Sequence, residues 1–372
     1  MNHDSLTSKV FDWLRFPLIV LIVYAHSLEK PVNYDLIDFT NLMPIDFYNL
    51  FRISVGVCLA HVPVPVFFFI SGYLFINKLS DWDNNVFFEK LKNRFKTLFV
   101  PYMIWNTIFV MVFAYIFFKI GGLHALRSFF GERDITSFYW DYYYWNQTKT
   151  DWLGIPTPSS GPFLLSLWYI RDLMVMMVFS PALYFLFKYT RKWGMIILLL
   201  SYISSIGLKI PGFSTTAIFF FGLGVYFNLN KINPTGFCSR YRHLIYIVTF
   251  ILWIIITCFN EDKTPIGNLI NPFWTLFCFI SFINLATSFV KKGLMIPRFL
   301  TRSSFFVYVS HPILITSYCN SLMVRIFGET HVASLTISFI LSPILIVAIC
   351  VLCYQLLHHF LPSICRVLTG NR

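Results

Sequence analysis

Ten apolar stretches of spanning or near-spanning length follow one another at 13–30, 54–76, 98–119, 163–187, 194–209, 213–229, 243–260, 270–290, 303–326 and 332–360. A bilayer core of about 30 Å takes roughly 20 helical residues. In lipid a chain must satisfy its backbone polar groups internally, and stretches this long do so as helices. The expected fold is therefore all-α: a polytopic transmembrane bundle of about ten helices, formed as a single domain over 1–372. The fifth and sixth stretches are short and adjacent, so a hairpin or a partly re-entrant pair fits them as well as two crossings. No internal repeat of fixed period is present.

The connections carry a second pattern. Residues 77–97 hold Lys78, Lys90, Lys92, Arg94 and Lys96. The later even-numbered connections hold Lys188, Arg191 and Lys192, then Lys231, Arg240 and Arg242, then Lys291, Lys292, Arg298 and Arg302. The alternate connections are acidic or balanced, with Asp35, Asp38 and Asp46 in one and Glu261 and Asp262 against Lys263 in another. Cytoplasmic loops are enriched in Lys and Arg, so both termini are expected in the cytoplasm and the long 120–162 connection outside. This topology signal accounts for a net charge of +12 without a nucleic-acid partner. Charged residues make up only 12% of the chain, against about 25% in soluble domains. No cleavable signal is expected, because Arg15 and His26 interrupt the first apolar run and no small-x-small site follows it. Cys350 and Cys353 lack a second pair and read as small apolar residues, and no metal site is expected.

Several positions carry candidate chemistry. Arg15 and His26 are eleven residues apart, close to three whole helical turns and roughly 16 Å along the axis, so they share a stripe. Such a stripe should face protein or a polar cavity. The plainer alternative is a pair of interfacial residues. Glu29 lies one turn beyond His26. In the second stretch Phe68-Phe69-Ile70-Ser71-Gly72-Tyr73-Leu74 places a small pair where a neighbouring backbone can come close. Gly222 and Gly224 in the sixth stretch have a packing role only. The run from Lys90 to Lys96, ahead of Pro101, Tyr102 and Trp105, suits a polyphosphate, or equally topology and anionic lipid. Leu167-Trp168-Tyr169-Ile170-Arg171-Asp172-Leu173 sets two charges roughly 12 Å inside the external end. Sequence neighbours do not face each other on a helix, so Arg171 and Asp172 are each expected to find a partner elsewhere, as a functional pair or as bundle-holding ion pairs. His311 precedes Pro312, where a helix can kink and free a carbonyl, and reads either as a satisfied structural histidine or as a direct participant. The aromatic run 138–145 fits an interfacial belt or a surface for stacking on sugars.

Taken in order, these motifs resemble the acyltransferase-3 family of integral-membrane acyltransferases over roughly 13–320, closest to its fucose 4-O-acetylase-like and enterobacterial-common-antigen O-acetyltransferase-like branch. The resemblance rests on Arg15-x10-His26, the Phe68–Leu74 string, the basic run with Pro101-Tyr102, the Leu167–Leu173 string and Tyr308-x-x-His311. It implies transfer of an acyl group, usually acetyl, from acyl-CoA to a hydroxyl of a cell-surface carbohydrate or glycolipid. Coenzyme A is then a co-substrate, with no bound cofactor expected. The setting is a bacterial inner membrane with lipid around the bundle.

A sugar hydroxyl is a poor nucleophile at neutral pH and needs a base, and histidine suits that task. His26 is assigned as the base, Glu29 as its orienting neighbour, Arg15 as support on the donor side and Arg171 as stabiliser of the thioester oxyanion. Arg94, Lys96, Ser71 and Tyr73 are assigned to the donor, with Asp172, His311 and Trp168 as further site candidates. Direct transfer in a ternary complex is expected, with an acyl-histidine intermediate as the alternative. The pantetheine arm is expected to thread past Ser71 and His311. The rival reading is a transporter or flippase for a glycolipid or small acid, weakened by the lack of two related halves. A third is an inactive partner in a polysaccharide assembly.

Overall fold

The computed structural model describes residues 3–28, 37, 39–77, 82–131, 135–141, 148–150, 156–158, 161–204, 211–237, 239–259 and 265–371. Its elements, in chain order, are α1 His3–His26, α2 Pro44–Arg52, α3 Pro63–Ile76, α4 Asn84–Arg94, α5 Val100–Gly131 and α6 Ile135–Trp140. A short ladder follows, β1 Thr148–Thr150 antiparallel to β2 Pro156–Pro158. Then come α7 Trp168–Val178, α8 Ser180–Thr190, α9 Lys192–Ser204, α10 Thr215–Leu229, α11 Arg242–Cys258 and α12 Pro265–Lys291. The last are α13 Arg298–Ser310, α14 Ile315–Phe327, α15 Val332–Phe360 and α16 Pro362–Thr369. All ten apolar stretches contain helix, and the two short strands are the exception to an otherwise helical chain.

Among the described residues, five helical stretches are long and apolar enough to cross a membrane, or six when the bent pair α7–α8 counts as one. The last span, Val332–Phe360, has the expected bounds, and the second ends at Ile76 as expected but is helical from Pro44. The third begins earlier, at Asn84, because a polar helix runs into the apolar one, and its backbone breaks at Gly121 and Gly122, next to the expected end at 119. Asp83 starts this third span, its carboxylate accepting from the backbone N–H of Asn85 at 2.8 Å, as an N-cap does. The α7–α8 pair bends by 55° where Pro181 opens α8. The helices α9 and α10 are shorter than a crossing, in keeping with the hairpin or re-entrant reading.

The chain folds as two compact units, Met1–Ile70 with Asn230–Leu356, and Ser71–Leu229 with Leu357–Arg372. In the first unit α1 continues through Pro17 and packs on α12 and α13. Leu14, Leu18 and Val23 are fully buried on it, and Trp13 stacks on Phe289 with centroids 5.3 Å apart. Between α2 and α3 the helix widens into a π turn over Ile53–Cys58. A π turn lengthens the backbone bonding pattern and is common at functional sites. Two indoles serve its carbonyls: Trp253 Nε1 donates to Ser54 O at 3.2 Å and Trp274 Nε1 to Cys58 O at 3.4 Å.

In the second unit the Ser71-Gly72 pair does what small residues allow. A Cβ on Gly72 would lie 2.1 Å from Phe221 O of α10, so the two helices meet backbone to backbone. Gly72→Ala is expected to force α3 and α10 apart and cost about 1–3 kcal/mol, as overpacking does. Thermal unfolding in detergent measures this, and an unchanged Tm would mean that the contact yields freely. Lys90, first in the basic run, donates to Phe75 O at 2.9 Å and to Asn77 O. It thereby caps the open carbonyl end of α3, where a cation is favoured. The terminal helix α16 is tied down by Trp105 Nε1, which donates to Leu368 O at 2.9 Å.

Candidate functional site

The first unit brings together the two histidines of the first and ninth apolar stretches. His26 ends α1, and its ring lies 5.1 Å from that of His311, with the planes inclined at 58°. His26 keeps accessible surface. His311 is wholly buried. The ninth stretch is not one kinked helix but two, α13 and α14, joined by 311–314. The ring of Pro312 blocks continuation, and Leu314 takes a left-handed conformation at φ 61°. The freed His311 carbonyl accepts from Thr316 Oγ1 at 2.9 Å and Thr316 N at 3.1 Å.

That break also sets the protonation of the buried ring. His311 Nδ1 lies 2.9 Å from Val307 O. A carbonyl only accepts, so Nδ1 carries the hydrogen and the neutral ring keeps its lone pair on Nε2. Nε2 is buried and has no hydrogen-bond partner among the described residues. A buried polar atom left unpaired calls for an explanation. Here it leaves an acceptor in the buried ring beside His26.

Behind the end of α1 a short polar chain holds the geometry. Asn320 Nδ2 donates to Ser27 O at 3.3 Å, and Ser342 Oγ donates to Asn320 Oδ1. The three residues belong to α1's end, α14 and α15, and all are buried. They line one side of a cavity of about 300 Å³ whose wall also includes Tyr48, Arg52, Glu329 and Ser338. Ser338 Oγ is buried without a partner among the described residues. The cavity thus offers a cation, a carboxylate, an amide and hydroxyls beside the aromatic Tyr48 and Phe339. None of these residues was singled out from the sequence. The signal for them was weak: Asn320 has Ser321 and Arg325 as polar neighbours on α14, and Ser342 has Thr336 and Ser338 on α15, so neither stands out in its stretch.

The other sequence candidates fall as follows. Arg15 lies on α1, about half exposed, with its Nη1 2.9 Å from Asp12 Oδ1 one turn earlier. An exposed pair of that kind contributes little to stability. Glu29 lies outside the described residues. Arg171, Asp172 and Trp168 lie on α7 in the second unit, and the expectation of separate partners for the two charges is corrected there. Arg171 Nε and Nη2 reach Asp172 Oδ1 at 3.0 and 2.8 Å, because the long arginine side chain curls back on itself. Both residues are only 2% exposed. Arg171 Nη1 also donates to Trp140 O at 2.6 Å, its guanidinium lies 5.5 Å from the Trp140 ring centroid, and Asp172 accepts from Ser214. The pair therefore ties α7 to α6 and to the start of α10.

Ser71 Oγ on α3 lies 3.5 Å from Tyr169 OH, with Tyr73 half-buried nearby on the same helix. Lys96 is exposed in a π turn over Phe95–Phe99. Among the described residues Arg94 is the one charged side chain lining a cavity of about 490 Å³ whose other walls include Phe95, Phe99, Tyr102, Met103 and Met174. The aromatic run splits: Phe138 is buried with Phe129 and Phe163, Trp140 holds Arg171, and 142–145 lie outside the described residues. Cys350 is buried and Cys353 exposed on α15, both as free thiols.

A chain of apolar spanning helices with a histidine pair beside a polar cavity has the parts of a membrane enzyme working on a polar substrate. The family model described as an acyltransferase domain matches residues 9–358, and the chain belongs to the acyltransferase-3 family. It is similar to the succinoglycan biosynthesis protein ExoH of Rhizobium meliloti (strain 1021), at 25% identity over 402 residues, 99% of this chain and 94% of that protein. No solved structure matches. The family makes the chain an acyltransferase, and the transporter reading falls away.

Proposed function

We propose that this protein moves an acetyl group from acetyl-CoA to a hydroxyl of a cell-surface polysaccharide or its lipid-linked precursor, with His26 as general base. The observation that carries the reading is the His26–His311 pair. As the acceptor hydroxyl attacks the thioester carbonyl, its proton passes to His26. The imidazolium that forms is stabilised by the fixed lone pair on His311 Nε2. His311 then acts through His26 as a positioning residue. The breakdown of the tetrahedral intermediate expels the coenzyme A thiolate, which takes the proton back.

The 300 Å³ cavity fits the acceptor. Sugars bind through hydroxyls that both donate and accept, and they stack on aromatic faces. A wall with Arg52, Glu329, Ser338 and Tyr48 answers both needs. The similarity to a succinoglycan biosynthesis protein supports a polysaccharide acceptor. Arg94 in its otherwise apolar cavity suits a donor with a charged head and a long uncharged arm, and the basic connection would then face the cytosolic pool of acyl-CoA. Arg52→Gln is expected to raise KM for the acceptor about tenfold, the worth of one charge-assisted hydrogen bond, with kcat nearly unchanged. A fall in kcat alone would remove the cavity from acceptor binding.

Sealed vesicles of known orientation test the whole reading. Acetyl-CoA loaded on the side of the basic loops should acetylate acceptor polysaccharide supplied on the other side. Acetyl-CoA on the acceptor side alone should not. Equal transfer from either side would defeat the cross-membrane scheme, and no transfer from either would defeat the choice of donor.

A further inference from the structure

A second polar cavity lies in the first unit, away from the histidines along the chain. It has a volume of about 220 Å³ and forms where α12 ends and α11 begins. Residues 284, 288, 291 and 292 recur at helical spacing on one face of α12. They bring Asn284, Ser288, Lys291 and Lys292 to the cavity, and Arg242 completes the wall from α11. Among the described residues none that lines it is acidic.

The available hydrogen-bonding groups define the ligand. Ser288 Oγ donates back to Asn284 O at 2.9 Å, Thr287 Oγ1 to Ile283 O at 2.7 Å, and the buried Thr235 to Asn233 Oδ1 at 2.8 Å. These hydroxyl donors are spent within the protein. Asn284 is 4% exposed, and its Nδ2 has no partner among the described residues. What remains among the described lining residues is the exposed Ser239 hydroxyl, a buried amide donor and three cations, a set that favours a ligand rich in acceptors and carrying negative charge. A phosphate ester meets that description through several oxygens at once. The site stands at the end of a span that the loop charges assign to the cytoplasm, a place where anionic head groups and soluble phosphate esters are both at hand.

We propose that Asn284, Arg242, Lys291 and Lys292 form a binding site for a phosphate ester. The two lysines are exposed, so Lys291→Gln/Lys292→Gln leaves packing alone. Asn284→Asp keeps the shape of the side chain and replaces its donor with a carboxylate.

The full chain in neutral phosphatidylcholine nanodiscs is titrated with adenosine 3′,5′-bisphosphate by calorimetry. In parallel, native mass spectrometry reads retention of phosphatidylglycerol against phosphatidylcholine from mixed vesicles. Binding of the bisphosphate assigns a soluble source, and selective retention of phosphatidylglycerol assigns a lipid source. In either arm the lysine variant and Asn284→Asp should each weaken binding about tenfold or more, the worth of a charge-assisted contact. Wild-type protein that binds neither probe overturns the proposal. So does a loss confined to the lysine variant, because that is surface electrostatics without the buried donor.

Discussion

His26→Ala is expected to lower kcat for acyl transfer by about 10²–10⁴, the usual worth of a positioned general base, with little change in either KM. An interaction made only in the transition state falls out in kcat and kcat/KM together. Because His26 keeps an accessible face, its truncation should leave membrane insertion and Tm near those of wild type. His311 separates the roles of the two rings. His311→Asn retains a donor for Val307 O but loses the Nε2 acceptor, whereas His311→Gln retains a polar group near Nε2. If the buried ring acts through its lone pair, Gln should keep more kcat than Asn at equal Tm. Equal activity in both variants, with wild-type turnover in His26→Ala, would remove the pair from the mechanism.

Asp172→Ala is expected to produce the largest loss of stability. It leaves the Arg171 guanidinium charged and 2% exposed with its principal partner gone, and breaking a buried pair from one side costs about 3–5 kcal/mol. The double variant Arg171→Met/Asp172→Leu removes both charges and should recover most of that loss, since apolar replacement of a buried pair is often close to neutral. Thermal unfolding of the single and double variants in one detergent measures the difference. A refolded double variant with full acyltransfer activity would make the pair purely structural. A stable double variant with lost activity would support the electrostatic role that the family resemblance implies for Arg171. An Asp172→Ala protein as stable as wild type would show that the pair holds nothing together.

The class of the molecule could be read from the chain alone. Lipid offers no hydrogen bonds, so long apolar stretches must be helical wherever they sit, and each of the ten contains helix. The Ser71-Gly72 contact was legible for a similar reason: a small pair inside a bulky helix has few uses other than close approach. His311 before Pro312 announced a kink with a freed carbonyl, since proline cannot continue the backbone pattern, and the structure goes further, to a break between two helices. Family membership followed from strings of local residues that need no knowledge of what they touch.

Contacts between residues far apart in the chain had to come from the fold. Residues 26 and 311 become ring neighbours only because α1 packs on α13. The lone pair on His311 Nε2 is decided by a carbonyl that local sequence does not single out. Arg171 and Asp172 were expected to look elsewhere because their Cβ atoms diverge on a helix, but side-chain reach brought them back to each other. The 300 Å³ cavity is built by Ser27, Arg52, Asn320 and Ser338 from four separate segments, each unremarked in its own stretch. Periodicity and charge act over one or two helical turns and can be read along a chain, whereas a cavity is the space that packed helices leave between them.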